Sequence, residues 1–128
     1  MNDRVEVTVN DHVAEVMLNR PDKFNALDVE MFRALDRAAR TIAEDSSVRA
    51  VVMHGAGGNF CAGIDIGALQ GGGEQVAKTL LAPVEDSPAN LAQRAAYAWR
   101  ELEVPVICAL QGVTFGGGLQ IAMGADLR

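Results

Sequence analysis

The alternation of short apolar runs with helix-like stretches is the feature that most constrains the fold of this chain. Val5, Val7 and Val9 alternate with polar residues, and a second apolar run follows the Asn10-Asp11 turn, so residues 4–18 are predicted to form a β-hairpin. Helices and buried strands then alternate, which predicts an α/β fold with largely parallel strands after the hairpin. The predicted elements are a helix at Val29–Glu44, a strand at Val48–His54, a helix that starts at Ser87-Pro88 and ends before Pro105, a strand at Val106–Leu110 and a helix at Leu119–Gly124.

Length and composition indicate one domain over residues 1–128. A chain of 128 residues with 49% apolar and 22% charged residues can bury a core of its own. The three consecutive glycines at 71–73, followed by mixed sequence up to Pro83, predict a mobile loop over residues 70–86.

Charge and cysteine usage exclude several classes of function. A net charge of −6 argues against nucleic acid or an anionic membrane as partners, and no apolar run approaches the roughly 18 residues of a membrane span. Cys61 and Cys108 lack CxxC spacing, and nothing resembles a metal-ligand set, so no metal is expected. Because the first residues lead directly into the predicted hairpin with no signal peptide, a cytoplasmic location is expected.

Two small-residue turns carry the strongest functional signal. The first reads Phe60-Cys61-Ala62-Gly63-Ile64-Asp65, and the second reads Phe115-Gly116-Gly117-Gly118-Leu119-Gln120. The glycine-rich loop before the first turn does not fit a dinucleotide-binding fingerprint, because Phe60 stands at its third glycine position. Either turn alone could be a simple connector, but a run of glycines usually marks a backbone that approaches something closely. Cys61 has no base near it in sequence and is interpreted as a buried, inert thiol.

A third motif lies between the predicted hairpin and the first helix. It reads Asn19-Arg20-Pro21-Asp22-Lys23-Phe24-Asn25-Ala26-Leu27. By itself it is a strand-to-helix loop, and an exposed lysine such as Lys23 is as often solvated as bound to a ligand.

Together the three motifs resemble the crotonase (enoyl-CoA hydratase/isomerase) superfamily, over nearly the whole chain. The resemblance implies a spiral of ββα turns, an acyl-CoA substrate without another cofactor, and assembly into a homo-oligomer. It implies that the N–H groups of Ile64 and Gly117 form an oxyanion hole for a thioester enolate, with Gln120 as a polar orienting residue. The CoA-binding positions that it implies are Arg20, Lys23, Asn25, Ala26, Ala62, Gly63, Ile64 and Asp65.

The chain departs from the hydratase pattern in its acids. Gln120 stands where the family's hydratases carry a first glutamate, and the second glutamate would lie beyond Arg128. A glutamine amide orients a water or a substrate oxygen but accepts no proton at neutral pH. The resemblance therefore predicts an incomplete spiral that lacks the C-terminal part of the fold. It leaves two functions open: a hydratase- or isomerase-like enzyme, and a catalytically impaired module that binds CoA thioesters or another chain.

Overall fold

The computed structural model describes residues 3–128 and has the predicted α/β architecture. Within these residues a four-stranded sheet has the order β1-β2-β3-β4. Strand β1 pairs with β2 antiparallel, and the pairs β2–β3 and β3–β4 are parallel. The strands are β1 (Val5–Asn10), β2 (Val13–Leu18), β3 (Ala50–Gly55) and β4 (Val106–Cys108). The helices are α1 (Val29–Glu44), α2 (Ile66–Leu81), α3 (Leu91–Arg100) and α4 (Gly117–Gly124), with short 3₁₀ turns at Pro21–Lys23 and Ala56–Gly58.

The core lies between one face of the sheet and the helices. Val16, Val51 and Val106 come from adjacent strands and are fully buried, as the alternation of strand side chains requires. Helix α1 adds Leu35, and α3 adds Trp99, which is 1% exposed and donates its indole N–H to the Ala95 carbonyl at 2.9 Å. Burial of these large side chains fixes where α1 and α3 lie, and with them the walls of the cavity described below.

The hairpin and α1 agree with their predicted positions, whereas the start of α3 does not. Ser87-Pro88 was expected to open this helix, but the N-cap is Asn90. The Asn90 side chain accepts from the Gln93 N–H at 2.9 Å, and the Gln93 side chain accepts from the Asn90 N–H at 3.0 Å. This reciprocal capping box satisfies two N–H groups at the helix start, which a lone Ser-Pro pair does not. Helix α4 also begins two residues earlier than expected, at Gly117.

A loop was predicted over residues 70–86, but α2 occupies the first part of that segment up to Leu81. Asp65 caps the helix by accepting from the Ala68 N–H at 3.0 Å, and Lys78 pairs with Glu74 one turn earlier at 3.2 Å. The glycines still affect the helix, because Gly73 has φ +52° and interrupts the helical geometry. The Asp65 cap stabilises the helix before that interruption, and residues 74–81, which favour helix formation, stabilise it after the interruption.

Candidate functional site

The N–H group of Ile64 is held in a defined direction by its own peptide unit. The carbonyl of that unit, which belongs to Gly63, accepts a hydrogen bond from the Leu27 N–H at 2.8 Å, and the Asp65 N–H donates to the Leu27 carbonyl at 2.9 Å. In a planar trans peptide the N–H and C=O groups point in opposite directions. The Ile64 N–H therefore points away from the segment that carries Leu27.

The N–H group of Gly117 is fixed in a similar way at the start of α4. The carbonyl of its peptide unit, from Gly116, accepts from the Gln120 N–H at 3.0 Å, so the Gly117 N–H points outward from the helix N-terminus. Gly116 precedes the helix with φ +48° and ψ −116°, a conformation that strongly favours glycine. The partial positive charge of a helix N-terminus lies at this amide.

The two amides lie close together and have no acceptor within residues 3–128. A Cβ atom placed on Gly63 would lie 3.4 Å from the Gly117 nitrogen, and one placed on Gly117 would lie 3.9 Å from the Ile64 Cγ1 atom. In the described part of the chain, neither N–H donates to a backbone carbonyl or to a side chain. A pair of neighbouring, unsatisfied N–H groups can bind an anionic oxygen.

Ile64 and Gly117 both line an apolar cavity of about 540 Å³ between the turn at 62–65 and helices α1, α3 and α4. Gln120 also lines this cavity, so the structure brings together the three residues that were predicted to be catalytic. The lining consists of small and apolar residues with a few polar ones: Leu27, Phe32, Ile64, Ala92, Gln93, Ala95, Ala96, Tyr97, Arg100, Gly117, Leu119, Gln120, Ile121, Met123 and Gly124. No carboxylate from residues 3–128 is among them.

The α3 side of this cavity was missed by the sequence reasoning. Tyr97 on α3 is 41% exposed and lines the cavity together with Ala92, Ala96 and Arg100. Ala92, Ala96 and Arg100 lie at intervals of four residues on one helix face, a spacing that is visible in the sequence. Gly124 lets α4 approach this face, since a Cβ atom there would lie 2.3 Å from the Ala96 carbonyl oxygen.

The predicted CoA-binding loop contains one residue whose expected role has to be corrected. Asn25 is fully buried, and its side chain donates to the carbonyls of Ala56 and Asn59 at 3.0 and 2.8 Å. The same side chain accepts from the Arg20 N–H at 2.7 Å. Since these bonds use the side chain internally, Asn25 holds the loop in shape and does not contact a ligand directly.

Arg20 also has internal partners. Its Nη1 atom donates to Asp65 Oδ2 at 2.8 Å and to the Ala26 carbonyl at 3.0 Å, and its Nη2 atom lies 3.7 Å from Asp28. The side chain is 12% exposed. Lys23 in the same loop is exposed and forms no ion pair within residues 3–128.

Asp65 acts as both a helix cap and an ion-pair partner. The hydrogen bond from the Ala68 N–H, followed by the one from the Arg20 guanidinium, lowers the pKa of the Asp65 carboxyl below its ordinary value. Asp65 is therefore an anion at neutral pH and is oriented towards Arg20, not towards the cavity.

Cys61 agrees with its interpretation as an inert thiol. It is fully buried, its Sγ–H group donates to the Asn25 carbonyl at 3.1 Å, and burial raises its pKa to about 11. A thiol with such a pKa carries almost no nucleophilic thiolate at neutral pH.

In the part of the chain that the structure describes, no three His, Cys, Asp or Glu side chains are grouped as metal ligands would be. Between residues 3 and 128, no helix has the length and apolar character required to cross a membrane.

The fold and the two free amides define an α/β chain of the crotonase type, and comparison with known proteins agrees. The crystal structure of enoyl-CoA hydratase from Thermoplasma volcanium superimposes with a TM-score of 0.83 at 30% identity, over 99% of this chain and 48% of that one. A Bacillus subtilis protein named as an enoyl-CoA hydratase/isomerase is 38% identical over all of this chain and 47% of its own length. The mitochondrial Δ(3,5)-Δ(2,4)-dienoyl-CoA isomerase of Mus musculus is 34% identical over 91% of this chain and 37% of its own length.

The family model described as enoyl-CoA hydratase/isomerase matches residues 13–128, and the chain belongs to that family. The match covers the N-terminal portion of the fold. The chain spans about half the length of the curated relatives that it matches.

Proposed function

We propose that this chain binds an acyl-CoA thioester and stabilises negative charge on the thioester oxygen between the N–H groups of Ile64 and Gly117. The observation that carries the proposal is that these two neighbouring amides lack an internal acceptor and belong to residues that line the same apolar cavity. A thioester oxygen becomes anionic when the α-carbon loses a proton and an enolate forms. Each donor of such a pair contributes about 10²- to 10³-fold to the rate in acyl-transfer enzymes.

The preorganisation of the two donors supports this role. Each donor belongs to a peptide unit whose carbonyl already accepts a hydrogen bond, from Leu27 in one case and from Gln120 in the other. A donor fixed in this way needs no reorganisation when charge develops, and the hydrogen bond on its carbonyl polarises the N–H group further. The apolar cavity beside it would receive the acyl chain.

The CoA nucleotide would lie on the opposite side of the turn at 62–65. The Ala62 carbonyl accepts no hydrogen bond within the described residues, so it is free to accept one from the adenine amino group. Lys23 would bind a phosphate, with Ala26 and the backbone of Gly63 to Asp65 completing the contact surface. Arg20 would support this surface from behind, because its guanidinium is bound to Asp65.

A titration with acetoacetyl-CoA tests the oxyanion hole. Stabilisation of the enolate at the two amides produces an ultraviolet enolate band at a pH where the free ligand shows little of it. A folded protein that binds the ligand without this band would refute the proposal. Lys23→Met should weaken binding about fivefold, the value of one exposed ion pair, and leave the band at saturation unchanged. Lys78→Met, which removes a lysine from α2, is the matched control.

A second candidate function is acyl-CoA binding without turnover. The cavity has no carboxylate from residues 3–128, and Gln120 cannot accept a proton at neutral pH. Hydration of an enoyl thioester requires a base for the water and an acid for the α-carbon. Incubation with crotonyl-CoA distinguishes the two functions, since hydration removes the conjugated chromophore. An enolate band with no loss of the crotonyl chromophore would establish binding without turnover.

We further propose that the chain self-associates in the cytoplasm. Leu119, Met123 and Leu127 are apolar and between 49% and 61% exposed. Leu119 and Met123 lie four residues apart on α4, and exposed apolar side chains that share a helix face favour association. Sedimentation equilibrium would test this, and a mass equal to that of one chain at all concentrations would contradict it.

A further inference from the structure

We infer that Arg20 is a positioning residue that holds the Ile64 amide in its oxyanion-binding direction, by clamping the turn at 62–65 against the loop at 24–28. The inference rests on the proposed function, because it concerns the geometry of one of the two proposed donors. It assigns Arg20 a role different from direct contact with a CoA phosphate.

The guanidinium lies between two segments, 24–28 and 62–65, that are far apart in the sequence. Its Nη1 atom donates to the Ala26 carbonyl at 3.0 Å on one segment and to Asp65 Oδ2 at 2.8 Å on the other. The hydrogen bonds between Leu27 and the peptide units of residues 63–65 lie directly beside this clamp. One of them, from the Leu27 N–H to the Gly63 carbonyl, sets the direction of the Ile64 N–H.

The same cation links the N-caps of two helices. Asp28 caps α1 by accepting from the Met31 N–H at 2.8 Å, and Asp65 caps α2 by accepting from the Ala68 N–H at 3.0 Å. Arg20 lies between the two carboxylates, 2.8 Å from Asp65 and 3.7 Å from Asp28. Its planar guanidinium can reach several acceptors at fixed angles, which a lysine ammonium on a flexible stem cannot do with the same geometry.

Arg4 provides a matched control within the chain. It also binds Asp28, through Nη2 at 2.8 Å and Nε at 3.2 Å, and it makes no contact with Asp65. Removal of Arg4 therefore takes one cation from the same acidic pair and leaves the clamp on the turn intact. Removal of Arg20 opens the clamp.

The test compares Arg20→Met and Arg4→Met in two measurements. Calorimetry with butyryl-CoA gives the affinity, and the amplitude of the enolate band with saturating acetoacetyl-CoA reports the oxyanion geometry. For Arg20→Met we expect the amplitude at saturation to fall about tenfold, less than the roughly 100-fold that a displacement of 1 Å can cost. The affinity should fall by a smaller factor, because the turn at 62–65 also belongs to the proposed CoA surface. Arg4→Met should leave both values within about twofold of wild type.

A second variant covers the case in which Arg20→Met does not fold. Asp65→Ser keeps a good N-cap for α2 but is too short to reach the Arg20 guanidinium, so it should reproduce the loss of the enolate band. Retention of the band in either folded variant, or an equal loss in Arg4→Met, would overturn the positioning role and leave the proposed function standing. Absence of the band in wild type would overturn the proposed function, and the positioning role with it.

Discussion

Replacement of Gly63 by alanine tests whether the two amides depend on close backbone approach. Gly63 has φ +91°, and an added Cβ atom would lie 2.8 Å from the Phe115 carbonyl oxygen and 3.4 Å from the Gly117 nitrogen. The positive φ costs about 1–2 kcal/mol for a residue with a side chain. Displacement of the facing backbone adds about 1–3 kcal/mol. We therefore expect Gly63→Ala to lower the free energy of unfolding by about 2–5 kcal/mol and to abolish the enolate band.

Gly58→Ala separates the two contributions. Gly58 has a similar φ of +81°, but nothing lies within 4 Å of an added Cβ atom there. In Gly58→Ala the free energy of unfolding should fall only by the cost of the positive φ, about 1–2 kcal/mol, and the enolate band should remain. Urea denaturation followed by fluorescence of the single tryptophan, Trp99, measures both values. Equal losses of stability, or an intact enolate band in Gly63→Ala, would refute the close-approach argument.

Three further predictions concern the cavity, the ion pairs and the thiols. Gln120→Glu should accelerate exchange of the α-protons of bound butyryl-CoA in D₂O by about 100-fold or more, because it adds a base beside the amide pair; an unchanged rate by NMR would contradict this. Burial opposes ionisation of Asp36, but hydrogen bonds from Arg94 and Arg40 outweigh burial and lower the pKa of Asp36. The ionised Asp36 therefore contributes to stability above about pH 4, and this contribution is lost as the pH falls through the lowered pKa. Arg94→Met should cost about 3 kcal/mol at pH 7 and less at pH 3 by urea denaturation, whereas a loss independent of pH would exclude the ion pair as its cause. Burial raises the pKa of Cys61 and Cys108 to about 11, so neither should react with DTNB at pH 8 until urea unfolds the chain.

Elements with strong local signals were predictable from the sequence. Helix α1 begins and ends at the predicted residues, because the Asp28 side chain caps it and its apolar residues recur at helical spacing. The start of α3 was predicted wrongly, although the Asn90 and Gln93 that form its capping box are both visible in the sequence. Helix α2 was missed because the glycines at 71–73 outweighed the Asp65 cap and the favourable sequence after them.

Roles that depend on contacts across the chain were harder to predict. Arg20 and Asn25 were expected at the ligand because of their motif, but three of their partners, Asp65 and the carbonyls of Ala56 and Asn59, lie more than thirty residues away. No local pattern indicates that these side chains are used inside the protein. The cavity wall on α3 was also unpredictable from local sequence. Its helical spacing is regular, but the facing element, α4, lies in a different part of the sequence.

A site made from backbone amides explains why glycines, and not reactive side chains, carry the signal in this sequence. The Ile64 side chain takes no part in the proposed oxyanion contact, so many residues could supply the same N–H group. Gly118 has no such freedom, because a Cβ atom there would lie 2.4 Å from the Cys61 carbonyl oxygen and would push α4 away from the turn. Proton transfer in this kind of chemistry is suited to carboxylates, and the cavity residues in 3–128 include none. Under the proposed function, stabilisation of the enolate and its protonation are therefore separable in this chain, and the residues that line the cavity account for the first alone.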